Sequence, residues 1–144
     1  MTISPGVRRK SRELALQILF QLEYDPQFDV KTSFGRFVSN FRPEPEVIDY
    51  TEKITFGVIE YQGEIDSTIQ SHSPRWKISR MDRVDRNTLR IAVYELLYEQ
   101  QEVPPKVVIN EAIEIGKTFG NAESAAFING ILDQVAREKR LFDN

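Results

Sequence analysis

Prolines at positions 26, 43, 45, 74, 104 and 105 divide the chain into segments. Within each segment apolar residues recur at helical spacing, and nowhere do apolar and polar residues alternate long enough to make a strand. An all-helical fold follows. Pro5 and Gly6 are expected to precede a first helix over about 8–24, which Asp25-Pro26 ends because proline disfavours a helical residue before it. Further helices are predicted over about 29–41, 46–62, 64–72, 82–100, 105–119 and 122–140. Ser79-x-x-Asp82 and Asp82-x-x-Asp85 have the spacing of an N-terminal cap with an acidic partner. Gly120 suits a helix stop, and Asn121 is expected to cap the last helix.

The spacing also assigns faces. In the 105–119 segment Val108, Ala112, Ile115 and Phe119 form one stripe with Ile109 beside it, as a core-facing helix requires. The 82–100 segment carries two: Leu89, Ala92, Val93 and Leu96 on one side, Val84, Ile91 and Tyr98 on the other. Such a helix is either central in its bundle or turns its second face to a partner.

A chain of 144 residues is expected to form one domain, large enough to bury a core without cross-links. It has no Cys, which excludes disulfides, thiolate zinc sites and a cysteine nucleophile. No apolar run exceeds four residues, so neither a signal-peptide core nor a membrane-spanning helix is expected, and the cytoplasm is the expected location. Charge is distributed unevenly. The first twelve residues carry Arg8, Arg9, Lys10 and Arg12 and no acid, +4 against a chain total of −3, so the remainder carries −7. That pattern suits one focused phosphate-binding site rather than a wholly basic surface.

Cations at a helix N-terminus oppose the macrodipole, and polyanionic phosphate would relieve the repulsion. The basic run is therefore a candidate RNA-binding element. In the same helix Leu14, Ala15, Ile18, Leu19 and Leu22 share the core arc, whereas Leu16 and Phe20 point roughly 130° and 170° away from its centre. Either a neighbouring helix covers this pair or it forms an apolar patch for a partner.

Catalytic patterns fail one after another. Gly116-Lys117-Thr118 resembles the end of a phosphate-binding loop, but Glu111 stands where the first glycine would be. His72 is the single histidine, is expected to be a solvated loop residue, and cannot build a multi-histidine metal site. No G-x-S-x-G elbow exists. The paired acids Glu111 and Glu114, and Asp82 and Asp85, read as surface charge and capping. No enzyme activity, metal or cofactor is expected.

Three ordered blocks carry a resemblance. Arg8-Arg9-Lys10-Ser11-Arg12-Glu13 opens the first helix. Leu89 to Leu96 and Val107 to Glu114 follow, and Phe119-Gly120 precedes Ser124, Phe127, Ile128, Asn129, Gly130, Ile131, Leu132 and Asp133. Together they resemble the NusB family of bacterial transcription antitermination factors along nearly the whole chain, with residues 26–75 matching loosely. The resemblance implies two three-helix halves meeting near the loop around Trp76. It implies binding to boxA-type single-stranded RNA of ribosomal RNA operons together with NusE, a small-subunit ribosomal protein, and through that complex with other Nus factors and RNA polymerase. Similar proteins use the arginine-rich helix start for RNA, here Arg8, Arg9, Lys10 and Arg12. The aromatic they place at the start of the last helix is Phe127, beside Ser124, and their acid before it is Glu123, where Asp is seen elsewhere. Their NusE surface maps to Phe20, with Leu16 beside it, and to Asp85. A related domain precedes some ribosomal RNA cytosine methyltransferases, which is an alternative reading; a protein-only helical adaptor is another.

Overall fold

The computed structural model describes residues 3–25, 27 and 29–142, and among these it contains seven α-helices, one short 3-10 helix and no strand. The chain divides into two compact units, residues 1–60 and 61–144.

The first unit holds α1 (Pro5–Tyr24), α2 (Val30–Phe41) and α3 (Pro45–Glu60). Pro5 and Gly6 are the first turn of α1 rather than its prelude, because proline's fixed φ suits the first helical position. Ser4 caps that turn, its Oγ accepting from the Val7 amide at 3.2 Å. Asp25 follows the last turn of α1, and Pro26 lies outside the described residues. Asp29 caps α2 by accepting from the Thr32 amide at 2.7 Å. α2 stops at Arg42, held in the left-handed region at φ 44°, directly before Pro43. α1 packs along α3 and against α2. Ala15, Ile18 and Leu19 of α1 and Val47, Tyr50, Ile54 and Val58 of α3 are buried, while Leu14 and Leu22 stay half-buried. Ser11 Oγ fixes the register, donating to the Val7 and Val47 carbonyls at 2.8 and 3.2 Å.

The second unit holds α4 (Gln62–Ser71), the 3-10 helix Ile78–Arg80, α5 (Arg83–Tyr98), α6 (Pro105–Phe119) and α7 (Ser124–Glu138). It has four α-helices where the resemblance implies three. The division falls at residues 60–61 rather than near Trp76, because α4 packs on α5 and α7. α5 is the central helix of this unit, contacting α4, α6 and α7, and every residue from Asp85 to Leu96 is buried. Its second apolar face is thereby used inside the protein: Ile91 is buried, and Tyr98 stacks on Tyr61 with ring centroids 4.3 Å apart. Arg90 grips Asp66 of α4 with two bonds of 2.8 and 2.9 Å. The α6 stripe faces the core as expected except Phe119, which ends the helix and is exposed.

His72 overturns its expectation. Instead of a solvated loop residue it caps the C-terminus of α4, its Nδ1 2.8 Å from the Thr68 carbonyl and its Nε2 2.9 Å from Glu138 of α7. Among the described residues no helix is long and apolar enough to cross a membrane.

Candidate nucleic-acid interface

The four cations of α1 separate into two kinds. Arg9 and Lys10 are exposed, whereas Arg8 and Arg12 are 5% and 2% exposed. The Arg8 guanidinium lies over the Tyr50 ring, 5.0 Å from its centroid, and donates to the Tyr50 hydroxyl at 3.2 Å. The misfit of a cation at a helix N-terminus is thus relieved inside the protein by an aromatic face. Arg8 and Arg12, expected on an RNA surface, are thus buried, and Arg9 and Lys10 are the cations of the run that remain exposed. Leu16, at 4% exposure, is likewise buried and forms no surface patch, since a large aliphatic side chain gains more from burial than from exposure. Phe20 is exposed on α1.

The second unit brings together Asp85, Glu123, Ser124 and Phe127, and Gly120 explains how. α6 ends at Phe119, and a tight turn over 120–123 reverses the chain into α7. Gly120 has an extended backbone that any residue adopts, so its smallness serves space. A Cβ there would lie 2.6 Å from Ser124 Cβ and 2.7 Å from the Gly116 carbonyl, and closer still to Ser124 Oγ. With that space kept open, fully buried Ser124 accepts from the Asn121 amide at 3.0 Å. Asn121 does not cap α7 as expected; its Oδ1 accepts from the Glu123 amide at 2.8 Å, and the helix begins at Ser124. The Ser124 hydroxyl also stands near enough to the Asp85 carboxylate to favour its ionised form.

Asp85 is 7% exposed, and its Oδ1 has no hydrogen-bond partner. Burial pushes its carboxyl above the usual range, the nearby Ser124 hydroxyl opposes this, and Asp82 adds repulsion. Asp82 itself caps α5, accepting from the Val84 amide at 2.8 Å. A folded-state value above the unfolded one means that ionised Asp85 costs stability, with no penalty below the ordinary carboxyl range near about pH 4 and the full penalty above the folded-state value. Asp85→Asn is therefore expected to raise the melting temperature at pH 7 by roughly 1–3 °C and to leave it unchanged near pH 3, measured by calorimetry.

Asp82, Asp85, Asn121, Glu123 and Phe127 line a cavity of about 180 Å³ whose lining is completed by a wall of Trp76, Arg80 and Met81. That wall is built by hydrogen bonds. Gln70 Nε2 and Ser73 Oγ both donate to the Trp76 carbonyl, at 3.0 and 2.9 Å, and Gln70 Oε1 accepts from the Ile78 amide at 2.8 Å. From α5, Arg86 donates to the Ile78 and Met81 carbonyls at 2.9 and 3.1 Å. The segment so pinned presents Trp76 at 56% exposure with Arg75, Lys77, Arg80 and Arg83 exposed around it. These cations are the residues that the sequence reading passed over. Their signal was the interleaving of Arg75, Trp76, Lys77 and Arg80, an aromatic among cations, as single-stranded nucleic-acid sites use. Asp85, which the resemblance assigns to a protein partner, shares this cavity with the RNA candidates Glu123 and Phe127.

Residues 9–137 match the NusB family. A protein of Bdellovibrio bacteriovorus called transcription antitermination protein NusB is 46% identical over 130 residues, 90% of this chain and 95% of the relative. One of the same name from Myxococcus xanthus is 42% identical over 134 residues, 91% and 95% of the two chains. Among solved structures, T. maritima NusB superposes with a TM-score of 0.87 at 33% identity over the whole of both chains. A NusB crystallised with NusE and double-stranded RNA gives 0.83 at 23% identity, over 94% of this chain and 99% of that one, a likeness of fold. With the fold, the three sequence blocks and relatives of this identity over nine-tenths of its length all in agreement, the chain belongs to the NusB family.

Proposed function

We propose that this protein is a non-catalytic transcription antitermination factor of the cytoplasm that binds boxA-type single-stranded RNA together with NusE during ribosomal RNA operon transcription. Other Nus factors and RNA polymerase are reached through that complex. The observation that carries this reading is the cavity in the second unit, lined by Trp76, Phe127 and the exposed Arg80, with Arg75, Lys77 and Arg83 exposed on the adjoining sequence. Aromatic faces stack unpaired bases and cations neutralise the backbone, so single-stranded RNA matches both. The name of the relatives supports antitermination, and the NusE and double-stranded RNA content of one structural neighbour supports RNA binding together with NusE. In the first unit Arg9 and Lys10 add phosphate contacts, and exposed Phe20 offers an apolar contact for NusE.

Phosphate contacts are measured by salt. For single strands each neutralised phosphate contributes about −0.7 to the slope of log K against log salt. Arg9→Ala with Lys10→Ala is expected to make that slope shallower by roughly 1.4 in anisotropy titrations of labelled boxA RNA, with and without NusE. An unchanged slope would remove the head of α1 from the RNA site. Equal binding of a base-paired duplex and the single strand would remove the bases from recognition.

A further inference from the structure

We propose that the C-terminal end of α2 is a base-stacking platform of the first unit, on which a nucleotide flanking boxA lies against Phe41 while Arg42 holds its phosphate. This rests on the RNA-binding reading and extends it to a surface within residues 26–75, where the family resemblance is loose. Phe37 and Phe41 are stacked with ring centroids 5.5 Å apart and 14° between their planes. Phe37 is half-buried and Phe41 is 56% exposed, so the stack has a covered inner ring and an outer ring in solvent. Phe34, one turn earlier, meets Phe56 of α3 edge-on at 5.8 Å and anchors the helix beneath. A base added to this stack needs no rearrangement of the protein.

Charge favours a nucleotide over an apolar protein segment. α2 carries Lys31 and Arg36 and no acid, and Arg42 caps it, all three exposed. The platform also lies at the same end of the first unit as Arg9 and Lys10. α3 begins at Pro45, three residues beyond Arg42, and its first turns are bonded to the start of α1, Ser11 Oγ donating to the Val47 carbonyl and Arg8 to the Tyr50 hydroxyl. A strand whose phosphates meet Arg9 and Lys10 therefore has Phe41 within reach of its next nucleotides. Exposed Glu44 and Glu46 follow at the start of α3, where acids suit a helix N-terminus, and they confine the cationic stretch to α2 and its cap. Arg42 supplies an independent sign. Its φ of 44° lies in the left-handed region, where glycine or asparagine is the ordinary choice. An arginine held there costs backbone strain, which a phosphate contact accounts for and capping alone does not.

The experiment titrates the full chain with labelled boxA RNA, either the core element or the core extended by six adenosines at its 5′ or its 3′ end, following anisotropy at several salt concentrations. One of the extensions is expected to tighten binding roughly fivefold or more, as a single stacked base does. Phe41→Ala, checked for an unchanged far-UV CD spectrum, should abolish that gain and leave the affinity for the core intact, whereas Phe41→Trp should keep both. Arg42→Asn relieves the strained cap, so its melting temperature should match or exceed the parent's, while its salt slope for the extended RNA becomes shallower by roughly 0.7. An unchanged slope would make Arg42 a cap only and overturn its part in the site. An extension without gain, or a gain that survives Phe41→Ala, overturns the platform and leaves the RNA reading standing. Failure of the core RNA to bind overturns both. If Phe41→Ala instead converts a dimer of the parent to a monomer in analytical ultracentrifugation, with the gain from the extension unchanged, the stack is a contact between copies and the proposal falls.

Discussion

Gly120→Ala is expected to lower stability by about 2–3 kcal/mol, a drop of roughly 5–10 °C in melting temperature, and to weaken RNA binding even at temperatures where the variant is folded. The added methyl group would sit 2.6 Å from Ser124 Cβ and 2.7 Å from the Gly116 carbonyl. One is a fully buried side chain at the start of α7 and the other a backbone atom of α6, so neither neighbour is a flexible side-chain end that swings aside. Relief comes by moving the first turn of α7 away from α6, which drags Ser124 from Asp85 and shifts Glu123 and Phe127 together. Calorimetry gives the stability loss, and the salt-dependent RNA titration gives the second effect. A variant with the parent's melting temperature would mean that the 120–124 turn has slack that the packing does not reveal. Gly130 is the natural control. Nothing lies within 4 Å of a Cβ built there, so Gly130→Ala in the middle of α7 should stabilise slightly through helix propensity.

The second large effect concerns Arg8. Arg8→Ala is expected to cost about 2–3 kcal/mol, because it leaves the Tyr50 hydroxyl without one of its partners, removes the cation from the ring face and vacates the volume of a buried side chain. Arg9→Ala, one residue on and exposed, should change stability by less than about 0.5 kcal/mol. The RNA titration should rank them the other way: below its unfolding transition the Arg8 variant keeps the parental salt slope, while the Arg9 variant loses part of it. Arg8→Lys separates charge from shape. A lysine retains the positive charge but not the planar fork, so it should recover only part of the lost stability. If Arg8→Ala unfolds no more readily than Arg9→Ala, the contact with Tyr50 does not hold the first unit together.

These two positions show what a sequence exposes and what it hides. Helices were legible because periodicity and proline are local, and α2, α3, α5 and α6 fall within a few residues of their expected bounds. The Asp82 cap, the α6 stripe and the two apolar faces of α5 are properties of one helix and were readable from it. Arg8 and Arg9 are chemically the same residue type, and only Tyr50, more than forty positions away, decides which of them is inside. His72 was misread for the same reason: Glu138, its partner, lies at the other end of the unit's sequence. Phe127 and Glu123 entered through the resemblance, yet their meeting with Asp85 and Trp76 depends on how α5, α7 and the segment before α5 come together. The cations at 75, 77, 80 and 83 were overlooked because they are spread among other residues, whereas the run at 8–12 is dense.

The bonds that Gln70, Ser73 and Arg86 make to the segment around Trp76 bear on how quickly and how tightly a base can be held. Fixing a flexible segment into one arrangement costs about 1–2 kcal/mol of backbone entropy per residue. Here that ordering is completed when the second unit folds, long before any nucleotide arrives. If the recess takes an unpaired base as proposed, the free energy of stacking is not discounted by loop ordering, and the slow step of association belongs to the RNA, which must unstack and splay out one base to enter a ready-made recess.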